Sequence, residues 1–114
     1  MKLTCTLAIV DAHTARVVLS GDLVYENGDA LVRVVDDLLA RGGVRRVRVD
    51  CAGVDFCDSY GLSTLLAVHR RLTLAGAELL LEGRQPGLDR LMRRTSTYDH
   101  LTGTGGRERE EADS

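Results

Sequence analysis

The residues best suited to chemistry lie together in the segment Asp55-Phe56-Cys57-Asp58-Ser59-Tyr60-Gly61-Leu62. It joins an alternating apolar stretch to an amphipathic one, so it links a strand to a helix. Asp58 and Ser59 stand at the helix start and Gly61 just inside it. Free backbone N–H groups and the positive end of the helix dipole gather at such a point. A phosphate carried by Ser59 Oγ finds donors already aimed at it. Asp58 repels that new charge, so phosphorylation changes the local electrostatics sharply without requiring a new fold. A plainer role is compatible with this one: Asp58 or Ser59 can be the helix N-cap.

The other chemical groups point to no catalysis. His69 comes ten residues after Ser59, mostly along one helix, and at the helical rise it is about 15 Å away, outside hydrogen-bond reach. It falls on an apolar stripe and reads as a core or boundary histidine. His13 sits in a turn and His100 near the tail, and neither has a ligand three or four residues on, so no metal site is expected. Cys57 could be an exposed loop thiol, but a reactive role needs a lowered pKa; the alternative is a small buried residue. No glycine-rich phosphate loop follows a strand. We expect no enzyme, no metal and no cofactor.

A chain of 114 residues with 44% apolar residues makes one small domain with one core. With three Tyr, one Phe and no Trp, that core must be mostly aliphatic. The net charge is −2 with both signs mixed along the chain, which excludes a nucleic-acid footprint. Cys5, Cys51 and Cys57 are odd in number and lack a C-x-x-C spacing, as for free thiols in a reducing compartment. No apolar run is long enough for a membrane span or a signal peptide. A soluble cytoplasmic protein is the expectation.

These groups must be positioned by seven elements. Leu3, Cys5, Leu7 and Ile9 alternate with Thr4, Thr6, Ala8 and Val10, which predicts a strand. Asp11 to Thr14 turns the chain, Ala15–Leu19 is a second strand, and Ser20-Gly21-Asp22 ends it. Ala30, Leu31, Val34, Val35, Leu38 and Leu39 predict a helix with Asn27 as N-cap and Gly42-Gly43 as its stop. Val47, Val49 and Cys51 predict a third strand, started by Val44. Ala52 to Tyr60 is a connecting loop whose Val54 and Phe56 plug into the core. Leu62, Leu65, Leu66, His69 and Leu72 predict a second helix ending at Gly76. Leu79-Leu80-Leu81 reads as a strand buried on both faces. Pro86 opens a short helix that carries Leu88, Leu91 and Met92. Tyr98 and Leu101 dock as a last short element, and Gly103 to Ser114 is a polar, disordered tail. The order β-β-α-β-α-β-α implies an α/β fold with a mixed sheet of four to five strands and helices mainly on one face. The domain is expected over residues 1–102.

Phe56-Cys57-Asp58-Ser59-Tyr60-Gly61-Leu62 resembles the apolar-x-Asp-Ser-small-Gly-Leu signature of the STAS domains of bacterial anti-sigma factor antagonists. Leu19-Ser20-Gly21-Asp22-Leu23, the turn at Gly76 and the element order support the resemblance over roughly residues 3 to 101. It implies a STAS fold and a phosphoacceptor at Ser59, with Asp58, Tyr60, Gly61, Asp22 and Cys57 as neighbours on the partner-binding surface. It implies a partner too: an anti-sigma factor that is a serine/threonine kinase of histidine-kinase-like ATPase fold. That partner would be bound by the unphosphorylated form, releasing a sigma factor, with a phosphatase for reset. Neither nucleic acid nor membrane would be contacted directly, and the chain would be a monomer or weak homodimer. Two positions depart from the pattern: Val24 stands where the family carries an acidic residue, and Tyr60 where it carries a small one. The alternative is an unphosphorylated structural STAS module of a stressosome-like or transport complex.

Overall fold

The computed structural model describes residues 3–95 and residue 101. The chain runs β1 (Leu3–Ile9), β2 (Thr14–Leu23), α1 (Gly28–Arg41), β3 (Arg46–Cys57), α2 (Ser59–Leu74), β4 (Glu78–Glu82) and α3 (Pro86–Arg94). Among the described residues one four-stranded sheet forms, in the order β1-β2-β3-β4. β1 pairs antiparallel with β2 as a hairpin, from Leu3 opposite Gly21 to Ile9 opposite Ala15. β2–β3 and β3–β4 are parallel. Both parallel connections step in the same direction across the sheet. Because such crossovers are right-handed, α1 and α2 fall on the same face.

That face is the core. Ala15, Val17 and Leu19 of β2, Val47, Val49 and Cys51 of β3, and Leu79 and Leu81 of β4 are buried there. Leu31, Val35 and Leu38 of α1 and Leu62, Leu65, Val68 and Leu72 of α2 meet them. The stripe of α2 thus runs through Val68, with His69 half-buried beside it. The alternate strand residues line the open face. Arg46 bonds Glu78 directly opposite at 2.6 Å, while Arg48 reaches diagonally to Glu82 at 3.0 Å and Arg16 to Asp50 at 2.5 Å. The diagonals relieve the repulsion of Arg16 and Arg48, which stand opposite one another. The charged face makes β4 buried on one side only, with Leu80 half-buried among glutamates, not on both sides as its three leucines suggested.

Other boundaries also differ from the local signals. β2 does not end at Ser20-Gly21-Asp22 but continues to Leu23. Its pairing with β3 shifts twice, at Val18/Ser20 and Gly21/Asp22, and Gly21 takes φ 109° there. Only glycine adopts that backbone readily, so an apparent turn signal lies within the strand, opposite the extra residues that β3 carries at the two shifts. Residues 52–57, expected as loop, are the continuation of β3, paired with Ser20 to Leu23. Val54 does enter the core at 5% exposure, but Phe56 is 57% exposed. Val10 lies just outside β1. Asn27 precedes α1 without capping it through its side chain. The glycine stops hold: Gly42, Gly43 and Gly76 have φ near +80°. Pro86 opens α3, and Leu101 is fully buried in the core. Tyr98 and residues 103–114 lie outside the described residues.

Leu65 is fully buried between α2 and the sheet, so Leu65→Ala should cost about 2–5 kcal/mol in urea unfolding. Arg48→Ala breaks a half-exposed ion pair and should cost less than about 1 kcal/mol in the same assay.

Candidate functional site

The C-terminal ends of β2 and β3 lie side by side, with Asp22 opposite Phe56 and Leu23 opposite Cys57. One residue, Asp58, separates β3 from α2. Its backbone is extended, at φ −98° and ψ −174°, and its Oδ1 accepts a 2.8 Å hydrogen bond from the Gly61 N–H. Its carbonyl accepts the first helical bond, from Leu62 N–H at 2.9 Å. Asp58 is therefore the N-cap, deciding between the two candidates. Ser59 is the first helical residue and is exposed. Its carbonyl accepts from Ser63 Oγ at 3.0 Å.

Gly61 sets how closely this helix start approaches the sheet. A Cβ at this position would fall on the carbonyl oxygen of Leu23 and within 2.9 Å of Cys57 Sγ. The absence of a side chain lets the backbone of α2 rest directly on the end of β2.

The lead-in to α1 closes the other side. Asn27 Nδ2 donates to the Asp22 carbonyl at 2.8 Å, and Asn27 Oδ1 accepts from Val24 N–H at 3.1 Å. This fold-back spends the Asn27 side chain, which explains why it does not cap α1. It also presents Tyr25, whose ring meets Tyr60 edge to face, with centroids 5.3 Å apart and planes at 66°. Asp22 Oδ1 is buried without a hydrogen-bond partner. Tyr25 was not singled out by the sequence; its position two residues beyond the end of β2 at Leu23 is the signal that could have found it.

Cys57 Sγ sits 3.5 Å from the Asp58 carbonyl. Burial, aided by the Asp58 charge, pushes its thiol up to about 12, so it is a neutral thiol at physiological pH. Burial does the same to Cys51, also about 12, with the Asp50 charge adding to it. His69 is on α2 itself, far along the helix from Ser59. No group of three metal-ligating side chains occurs among the described residues. Beside the site an open groove of about 700 Å³ runs between Val54–Cys57 and the start of α3, lined by Phe56, Cys57, Pro86, Leu88 and Arg90. No described helix is long and apolar enough to cross a membrane.

The sequence matches the STAS domain family over residues 8–111. The chain belongs to the STAS domain family. Solved structures agree in fold. The anti-sigma factor antagonist SpoIIAA in its unphosphorylated form superposes with a TM-score of 0.73 at 18% identity, covering 83% of each chain. SpoIIAA, the Bacillus cell fate determinant, in its phosphorylated form gives 0.69 at 18% identity, over 87% of this chain and 88% of that one. An anti-sigma factor antagonist from Mycobacterium paratuberculosis gives 0.72 at 22% identity, over 89% of this chain and 83% of that one. No curated protein sequence matches this STAS domain.

In this STAS domain Gly61→Ala should be more destabilising than the ordinary gain of Ala over Gly in a helix could offset. A melting temperature lowered by several degrees is expected; an unchanged or raised one would contradict the contact with Leu23. Asp58→Ala should cost about 1 kcal/mol through the lost cap, and Asp58→Asn much less. The raised thiols give a pH dependence of known sign. Folding favours their protonated forms, so that stability is fully present below the unfolded pKa near 9.0 and is lost as pH rises toward 12. Urea unfolding at stepped alkaline pH checks this, and a Cys51→Ala/Cys57→Ala protein should show a flatter profile.

Proposed function

We propose that this STAS domain is an anti-sigma factor antagonist, a binding protein switched by phosphorylation of Ser59. The observation that carries the reading is the division of labour at the start of α2. Asp58 makes the capping bond to Gly61, so the Ser59 hydroxyl is spared that task and stands exposed at the helix N-terminus. A phosphate there meets free N–H groups on one side and the Asp58 carboxylate on the other. Local charge changes while the fold is kept.

The surroundings suit a partner. Phe56, Tyr60 and Tyr25 are 57%, 59% and 74% exposed around this end of the sheet. Exposed aromatics are the side chains that most often anchor protein interfaces. Of the similar proteins, SpoIIAA has been solved in unphosphorylated and phosphorylated forms. The partner we propose is an anti-sigma factor that is also a serine/threonine kinase of histidine-kinase-like ATPase fold. It binds the unphosphorylated form, and a phosphatase resets the switch. The proposed setting is soluble and cytoplasmic, and the protein itself catalyses nothing.

Phosphopeptide mapping of the protein from its native cells, in growth, starvation and stress, should find phosphate on Ser59. In a pull-down the wild type and Ser59→Ala should retain the kinase and Ser59→Asp should lose it. Absence of phosphate in every condition, with equal binding by all three forms, would sink the switch and leave a structural STAS module.

A further inference from the structure

We propose that Tyr25 is a positioning residue: its ring holds the ring of Tyr60 aside, so that the Ser59 hydroxyl stays open to a large reactant. Its use rests on the reading of Ser59 as phosphoacceptor; its geometry does not. The difficulty it resolves lies at the start of α2. Tyr60 is the second helical residue, directly after Ser59. Helical side chains lean toward the helix N-terminus and cover the turn before their own Cα. Before Tyr60 that turn holds only Ser59 and the cap Asp58. A free phenol ring therefore ranges over the residues that an incoming group must approach. The family resemblance sharpens the conflict, since a small residue is the pattern at this position.

Tyr25 takes the ring out of that path. The two rings meet edge to face, with centroids 5.3 Å apart and planes at 66°, an arrangement that aromatic quadrupoles favour. Tyr25 can serve as a fixed rest because its turn is tied on both sides. Asn27 Nδ2 donates to the Asp22 carbonyl at 2.8 Å, and Asn27 Oδ1 accepts from Val24 N–H at 3.1 Å. The N–H groups of Asn27 and Gly28 both donate to the Val24 carbonyl, at 3.3 Å and 3.2 Å. Val24 and Asn27, which flank Tyr25 and Glu26, are thus fastened to each other. The Tyr25 ring is carried by a short closed turn.

Neither ring fills the core. Both are largely exposed, so their contact acts mainly on where the rings stand. A ring pair of this kind shifts the balance between the stowed and free positions by roughly twofold to tenfold. Ser59, exposed beside it, stays uncovered for a correspondingly larger share of the time. A partner also meets the two rings as one preformed surface, with less to order on binding.

Ser59→Cys in the full chain puts a thiol at this position for iodoacetamide, a small neutral probe, and the alkylation rate reads its access. Burial raises the thiols of Cys5, Cys51 and Cys57, so they react slowly, and peptide fragmentation assigns the modified position. Adding Tyr25→Ala should slow alkylation at position 59 roughly twofold to tenfold, and Tyr25→Phe should keep the rate. Tyr25→Ala together with Tyr60→Ala should return it at least to that of Ser59→Cys alone. Both tyrosines are surface residues, so these variants keep the fold. In the wild type, nuclear Overhauser contacts between the ring protons of Tyr25 and Tyr60 give a readout that needs no variant. Equal rates in the Tyr25→Ala and Tyr25→Phe proteins overturn the proposal, as does the absence of those ring contacts. So does a slowing that survives removal of the Tyr60 ring, which would put the effect in the turn itself. Alkylation reads the rings and phosphopeptide mapping reads the switch, so the two proposals can fail separately.

Discussion

The contact between the backbone of α2 at Gly61 and the carbonyl of Leu23 holds the end of the sheet that carries Ser59 in place. Helix and strand touch there with no side chain between them. From it follows the short passage from β3 to α2, for which a single residue suffices. Asp58 can then turn its carboxylate onto Gly61 N–H, leaving Ser59 as the first exposed residue of the helix. Tyr60, one position on, meets the Tyr25 ring that the Asn27 fold-back presents. A bulkier residue at position 61 would lift the helix start and disturb these relations together.

The sheet divides its labour by face and by end. The two same-direction crossovers place α1 and α2 on one side, and all the fully buried strand residues face them. Cross-strand ion pairs run over the other side. Such pairs add little stability each, but their charges keep the open face and the β4 edge soluble. The core is aliphatic, because the described aromatics are all on the surface. Burying an aromatic ring is among the most favourable uses of a side chain. Three of them, Tyr25, Phe56 and Tyr60, are nevertheless left exposed at the end that carries Ser59. The Cys57 thiol there is raised by burial, and His69 lies far along α2 from Ser59.

Much of this was legible in the chain of residues. The order of elements, the aliphatic core, the helix stops at Gly42-Gly43 and Gly76, the opening of α3 at Pro86 and the helix start at Asp58-Ser59 all rest on short-range rules. Period, capping preference and glycine's freedom at positive φ act within a few residues, so local sequence determines them. The same rules misplaced other features. Ser20-Gly21-Asp22 carries the composition of a turn, yet it is strand, because β3 lies alongside and pairs with it through two register shifts, with Gly21 at positive φ. Residues 52–57 lack the alternation of a strand because the two register shifts break it.

Tertiary structure alone decided what depends on partners distant along the chain. Parallel pairing with β2 carried β3 on to Cys57 and turned Phe56 outward, where an apolar residue read locally belongs inside. Asn27 was drawn from capping α1 to pinning the loop at Asp22 and Val24. The choice between Asp58 and Ser59 as cap was settled by where Gly61 N–H points once α2 rests on Leu23. Tyr25 joined the site only through the ring of Tyr60, 35 positions away in sequence. The sequence by itself determined the elements and the chemistry available at the turn into α2. Which side chains are free to use it was decided by long-range contacts, whose geometry no local pattern encodes.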